Sequence, residues 1–219
     1  MTDILGNGVY SFSDAARLTG LKPSRVREWF LPRTGKGYAA IFSSDYSEES
    51  LQHIISFLDL VEVFVASKLR ERGISLQKVR RIHAALATRL GTDHPFGRQE
   101  VRTKGTDVFA VGVDPKGEQE IINVLTRQKT FPKIIRPFLN KLDYDAAKLA
   151  ARWNIAKGVV VDPAICFGQP IVETAGIPTY LIARTYQANR KNTDSVAKWY
   201  GLTKEDIQAA VRFERKFAA

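Results

Sequence analysis

Ser13-Asp14-Ala15-Ala16-Arg17-Leu18-Thr19-Gly20-Leu21-Lys22-Pro23-Ser24-Arg25-Val26-Arg27-Glu28-Trp29-Phe30 is the stretch on which the reading of the fold turns. A helix-turn-helix needs a small residue where its helices touch, a residue tolerant of positive φ at the turn, and an apolar anchor in the second helix. Ala16, Gly20 and Val26 stand at that spacing. Ser13 suits the N-cap of a first helix running to Leu18, and Asp14 suits the positive end of its dipole. Thr19-Gly20-Leu21 makes the turn. Pro23 fits the first position of the second helix, where no N–H is needed. That helix is expected to expose Lys22, Ser24, Arg25 and Arg27, with Lys22 and Arg27 for phosphates and Ser24 and Arg25 for base edges.

Working outward, Leu31 to Tyr38 is a basic, glycine-punctuated turn that reads as a wing, with Ala39 to Phe42 returning as a short strand. Arg33, Lys36 and Tyr38 would straddle a neighbouring phosphate run. Two helices should follow, because Leu51, Ile54, Ile55, Leu58, Val61, Val65 and Leu69 fall at three- and four-residue steps, as do Leu76, Val79, Ile82, Leu86 and Leu90. Gly73 separates them. From Phe96 to Leu125 the pattern shifts to short β-prone pieces at Gln99 to Arg102, Thr106 to Val113 and Glu120 to Leu125. The turn signal Asp114-Pro115-Lys116-Gly117 makes the last two a hairpin. Tyr144 to Trp153 reads as a short helix and Asn154 to Gly158 as a linker.

The opening spacing returns as Ala197, Gly201 and Ile207. Here the second helix begins Thr203-Lys204-Glu205-Asp206, and carboxylates at a helix N-terminus suit its dipole but oppose phosphates. DNA reading is therefore expected of the first unit, and packing, dimerisation or partner binding of the second.

Charge follows the same division. The 219-residue chain carries a net +10. Residues 10–39 hold a net +4 and residues 66–104 a net +7, whereas residues 40–65 hold five acids and no Lys or Arg. The stretch 105–178 nearly balances, at nine basic groups to eight acidic. Such an excess favours a polyanionic partner, and its position favours the first half. The N-terminus lacks a basic region leading into an apolar run, and the most apolar stretch, Phe57 to Val65, is broken by Asp59 and Glu62, so a cytoplasmic chain is expected.

Catalysis finds little support. One cysteine, Cys166, and three scattered histidines, His53, His83 and His94, offer neither a disulfide framework nor a four-ligand zinc site. The sequence has no phosphate loop and no Ser or Cys with a recognisable base partner, and Asp143, Asp145 and Asp162 have no spacing that demands metal. The expectation is a protein without catalytic residues, metal or cofactor.

Two resemblances then take shape. Residues 10–90 resemble the MerR-type winged helix: Tyr10 to Thr19 match its first helix, Val26-Arg27-Glu28-Trp29 its Leu-Arg-Tyr-Tyr stretch, and the helices around Arg72-Gly73-Ile74-Ser75-Leu76 its continuation. That resemblance implies a phosphate contact for Arg27, while Ala39 stands where the wing usually carries arginine. The C-terminal part resembles the antitoxin-associated family of unknown function numbered four-three-three. The residues are Val159-Val160-Val161-Asp162-Pro163, Phe167-Gly168-Gln169-Pro170-Ile171-Val172, Gly176-Ile177-Pro178-Thr179, Asp194-Ser195-Val196-Ala197 and Tyr200-Gly201-Leu202-Thr203. Together they are similar to the larger VapB-like antitoxins, which implies a PIN-like ribonuclease as partner.

The expected architecture is mainly α with a small β-hairpin layer: a MerR-like winged helix-turn-helix over 1–90, a connector over 91–153, and a C-terminal three-helix, helix-turn-helix-like domain over 154–219. The expected function is a type II antitoxin that binds operator DNA as a homodimer and represses its own operon. Its tail, Arg212, Phe213, Arg215, Lys216 and Phe217, would cover the toxin's carboxylate-lined site. The alternative is a stand-alone MerR-like regulator whose C-terminal part senses a ligand.

Overall fold

The structure, a computed structural model, describes residues 5–31, 40–46, 53–103 and 136–217. Residues 32–39, most of the expected wing, and the expected hairpin over 106–125 lie outside the described residues; Ala40 to Phe42, the described part of the expected return strand, are not strand. The chain is mixed α/β with a helical majority and divides into two compact units, one of Tyr10–Ala150 and the other of Asp3–Val9 with Ala151–Ala219. Among the described residues no helix is long and apolar enough to cross a membrane.

The first unit opens with β1 (Tyr10–Ser11), which pairs antiparallel with β2 (Ile54–Ile55), Tyr10 opposite Ile55. Helix α1 (Phe12–Thr19) starts two residues earlier than its sequence indicates, with Ser11 rather than Ser13 as N-cap. The reason is Asp14, three residues on: it accepts from the Ser11 N–H at 3.0 Å while Ser11 Oγ accepts from the Asp14 N–H at 3.1 Å, a reciprocal capping box. Gly20 ends α1 at φ 76°, and the Gly20 and Leu21 N–H groups both turn back to the Ala16 carbonyl. Helix α2 (Pro23–Phe30) follows after two further residues.

Helix α3 (Phe57–Glu71) departs from the expected single stripe. Every residue from Asp59 to Ser67 is buried, so α3 is the central element of this unit and is covered on all sides. Helix α4 (Leu76–Leu90) is amphipathic as its spacing predicts, with Val79, Ile82 and Leu86 inward. A 3₁₀ turn, Pro95–Gly97, leads to α5 (Gln99–Thr103), which replaces the strand expected at Gln99 to Arg102. Val101 is 4% exposed, and its burial overrides the β-propensity of so short a run. The unit continues through β3 (Leu142–Tyr144).

The stretch read as a helix and a linker is instead largely strand. Lys148, at φ 62°, closes a turn in which the Leu149 N–H donates to Asp145 Oδ1 at 2.9 Å, and β4 (Ala150–Ala156) begins directly after it. In the second unit β4 pairs antiparallel with β5 (Val159–Val161), Trp153 opposite Val161, and β5 pairs with β6 (Pro170–Val172). The alanines of 146–151 favour a helix locally. The continuous Val159-Val160-Val161 run supplies a partner strand only once the chain has folded back, and the ladder wins. Three helices follow: α6 (Thr179–Ala188), α7 (Thr193–Tyr200) and α8 (Lys204–Phe217). Val172, Ile182, Val196, Ile207 and Ala210 form their shared core, flanked by Ile177, Tyr186, Tyr200 and Leu202. Asp162-Pro163 is a turn as expected, since the Asp162 side chain accepts from the Ala164 N–H at 2.9 Å.

Candidate nucleic-acid interface

Helix α2 has two unlike faces. Val26 and Trp29 are at most 1% exposed and Phe30 is buried beside them, whereas Lys22, Ser24, Arg25 and Arg27 are all exposed. The inner face is held by rings: Phe30 stacks on Phe12 at 5.8 Å, and Phe42 meets Trp29 edge-on at 6.1 Å and Phe30 at 5.6 Å. The backbone beyond the expected wing also returns to this helix, because the Ile41 and Phe42 N–H groups donate to the Trp29 carbonyl at 2.8 and 3.0 Å. Rotation of α2 about its axis is thereby fixed, and its cationic face stays outward.

The start of α2 differs from that of α1. Lys22 is its N-cap, no side chain caps it, and its first turn contains no acid. Helices α1, α3, α4 and α7 are capped by Ser11, Ser56, Ser75 and Asn192, although α6 resembles α2 in lacking such a cap. An uncapped helix N-terminus presents partial positive charge, which adds to that of Lys22 and Arg25. Arg25 lies 3.9 Å from Glu28 with more than half of its side chain exposed, a pairing too solvated to tie it down. Arg33, Lys36 and Tyr38 lie outside the described residues. Of the other basic groups, Arg70, Arg72 and Arg81 are exposed, while Lys78 and Arg80 are half-buried.

The duplicated spacing folds twice into the same hydrogen-bond pattern. Gly201 sits at φ 65°, and the Gly201 and Leu202 N–H groups return to the Ala197 carbonyl as those of Gly20 and Leu21 return to Ala16. Helix α8 nevertheless starts with acid, and Asp206 accepts from the Thr203 hydroxyl at 2.8 Å. At its far end Arg212, Arg215 and Lys216 are exposed, while Phe213 is 4% exposed. Phe213 therefore belongs to the core of its unit instead of offering the aromatic anchor expected of it. The side chain of Phe217 lies outside the described residues.

One cluster had no signal in the sequence. Asp45, Asp59 and His94 each offer a donor atom within 4.8 Å of the others, although 14 and 35 positions separate them along the chain. His94 Nε2 lies 2.9 Å from Asp45 Oδ1, and His94 Nδ1 lies 3.9 Å from Asp59 Oδ1. Beside them Glu62, 1% exposed, accepts from the Phe96 and Gly97 N–H groups at 2.8 and 3.2 Å, and its other oxygen lies 3.1 Å from His83 Nε2. Burial, with the Asp45 charge added, pushes the Asp59 carboxyl up to about 6. Burial is the largest single influence on Asp45 and His94 too, but their mutual hydrogen bond, the Ser56 hydroxyl on Asp45 and the surrounding carboxylates together outweigh it, holding Asp45 below its ordinary range and His94 above. No spacing rule finds such a set, because it is assembled by a loop, the first turn of α3 and the segment after α4.

The C-terminal unit carries its glycines and prolines where its turns need them, with Gly168 at φ 79° ahead of β6 and Gly176 at φ 68° ahead of α6. Residues 159–213 match the family model described as "Protein of unknown function (DUF433)". The matched segment thus runs from β5 to Phe213 and contains the whole apolar core of α6, α7 and α8. The fold is similar to the crystal structure of Rv2018 from Mycobacterium tuberculosis, with a TM-score of 0.71 at 17% identity, covering 92% of this chain and 96% of that one. A likeness at that identity speaks for the fold and not for a shared activity. Among curated proteins none matches the sequence.

Proposed function

We propose that this protein is the antitoxin of a type II toxin–antitoxin module. On this reading it binds operator DNA as an autorepressor through a MerR-type winged helix-turn-helix, and it neutralises a PIN-like ribonuclease through its VapB-like C-terminal unit. The observation that carries the DNA half is α2, whose outward face is Lys22, Ser24, Arg25 and Arg27 and whose uncapped start holds no acid. Arg25 and Ser24 probe base edges while Lys22, Arg27, Arg33 and Lys36 hold phosphates; Tyr38 completes the wing contact. A homodimer sets two copies of α2 in successive major grooves of a pseudo-palindromic operator.

The match of residues 159–213 supports the partner half, since that family accompanies antitoxins. Arg212, Arg215 and Lys216 lie on exposed turns of α8 and suit a toxin site built from carboxylates. The protein itself is not an enzyme on this reading and acts in the cytoplasm. Two measurements test it. The chain should shift DNA from upstream of its own reading frame in a gel assay, with affinity falling steeply as salt rises. Co-expression with the adjacent reading frame should rescue growth and yield a complex; a neighbouring product that is neither toxic nor bound would overturn the antitoxin reading while leaving the DNA half standing.

A further inference from the structure

The Asp45–His94–Asp59 cluster has no part in the proposed DNA and toxin contacts, and it holds two buried atoms that pair with nothing described. Asp59 is 1% exposed and His94 9%, yet Asp59 Oδ1 and His94 Nδ1 have no hydrogen-bond partner among the described residues. They face each other at 3.9 Å, too far for a hydrogen bond. The other atoms of both residues are committed. Asp59 Oδ2 accepts from the backbone N–H groups of Ser56 and Asp45 at 3.0 and 3.1 Å, and His94 Nε2 faces Asp45 Oδ1 at 2.9 Å. The second Asp45 oxygen takes the Ser56 hydroxyl at 2.6 Å. An ionised Asp45 keeps the ring proton on Nε2, so in the neutral ring Nδ1 presents a lone pair toward a carboxylate oxygen. Two acceptors aimed at each other in a buried site are costly unless a proton or a metal ion lies between them.

We propose that Asp59 Oδ1 and His94 Nδ1 ligate a divalent transition-metal ion of the zinc class, with Asp45 orienting the imidazole from its far side. Ligands about 2.0–2.1 Å from a tetrahedral ion stand roughly 3.4 Å apart, so the pair must close by about half an ångström, which a small side-chain rotation supplies. A carboxylate that receives the N–H of a ligating imidazole is the usual outer partner of such a site. An imidazole in the donor set suits zinc, nickel, copper or iron over calcium or magnesium. Two protein ligands leave the remaining positions to water, and the Asp45 side chain, 38% exposed, places the cluster close to solvent. Glu62 and Asp45 add negative charge around His94. Bound there, the ion joins the Ala40–Tyr46 stretch, the first turn of α3 and the segment after α4.

The test is calorimetric titration of the full chain, stripped with a chelator, with zinc chloride at neutral pH. One equivalent should bind per chain. Asp59→Asn and His94→Gln should each weaken binding by more than about a hundredfold, and Asp45→Asn by about ten- to a hundredfold as an orienting residue. Asp59→Asn keeps a side-chain oxygen for the α3 cap, and circular dichroism of each metal-free variant checks that it folds. Should a variant unfold, the wild-type chain still decides: one equivalent of zinc should shift the His94 imidazole resonances and raise the thermal midpoint. Absence of saturable binding below about 1 mM, or binding that Asp59→Asn and His94→Gln leave unchanged, would overturn the proposal. None of these readouts involves DNA or toxin, so the proposal stands or fails apart from the antitoxin reading.

Discussion

Thr203 and Asp206 cap α8 reciprocally: the Asp206 carboxylate accepts from the Thr203 N–H at 3.1 Å and from its hydroxyl at 2.8 Å, while Thr203 Oγ1 accepts from the Asp206 N–H at 3.1 Å. The acid that sets this helix apart from a phosphate-binding one thus has a structural task, the task Asp14 has in α1 and Asp59 in α3.

Removing that cap should cost stability. Thr203→Ala should destabilise the chain by about 1 kcal/mol, and Asp206→Ala by a similar amount, because each leaves a helix N–H without its acceptor. Urea unfolding followed by circular dichroism measures it. An unchanged midpoint for both variants would mean that the cap is replaced by water at no cost.

Gly20 offers a purer backbone test. A methyl group there meets nothing within 4 Å, so the only penalty of Gly20→Ala is the left-handed conformation at φ 76°. About 1–2 kcal/mol should be lost. Gly20→Asn should lose less, since asparagine tolerates that region. Equal losses for the two variants in urea unfolding would point to something other than φ.

Arg25→Ala with Arg27→Ala should weaken operator binding and lower the salt slope by about one for each phosphate contact removed. Both side chains are exposed, so the thermal midpoint should stay within about 1 °C of wild type, a surface change being worth little. Fluorescence anisotropy at several salt concentrations reads both affinity and slope. A double variant that binds DNA normally would remove α2 from the interface.

Glu62 is a buried charge with a backbone duty. Glu62→Ala strips the acceptor from the Phe96 and Gly97 N–H groups and should cost at least about 2 kcal/mol. Glu62→Gln keeps an acceptor and should cost less. Denaturant titration separates the two.

The tail needs charge variants in place of truncation. Deleting Arg212 to Ala219 would remove Phe213, whose loss from the core alone is worth about 3–5 kcal/mol, so released toxicity would not report on contact. Arg212→Glu with Arg215→Glu leaves the core intact and should abolish neutralisation in a growth-rescue assay. Full rescue by that pair would move the toxin contact elsewhere in the C-terminal unit.

Local chemistry was legible residue by residue. Ala16-x-x-x-Gly20 and Ala197-x-x-x-Gly201 end their helices as their spacing says, because a positive-φ cap needs only glycine and a carbonyl four residues back. The same pattern at Ala87 and Gly91 ends α4, which shows that this part of the spacing reports helix termination and not DNA reading. The Ser11-for-Ser13 shift was legible too, in the Asp14 that follows Ser11 by three. Less legible was β4, where alanines point one way and a valine run starting eight positions after Ala151, able to pair only after the chain turns, points the other.

From its sequence alone the chain determined the bounds of α2 and α4, the glycine ends of α1 and α7, which residues of α2 and α4 are apolar, and where its positive charge lies, for these depend on neighbours within one or two turns. The tertiary structure decided what depends on distant partners. It covered α3 on every side, turned Ala150–Ala156 into a strand, drew Phe213 into the core, and brought Asp45, Asp59 and His94 within 4.8 Å of one another. Burial and pairing across tens of residues are properties of the assembled fold, and the local pattern along the chain does not contain them.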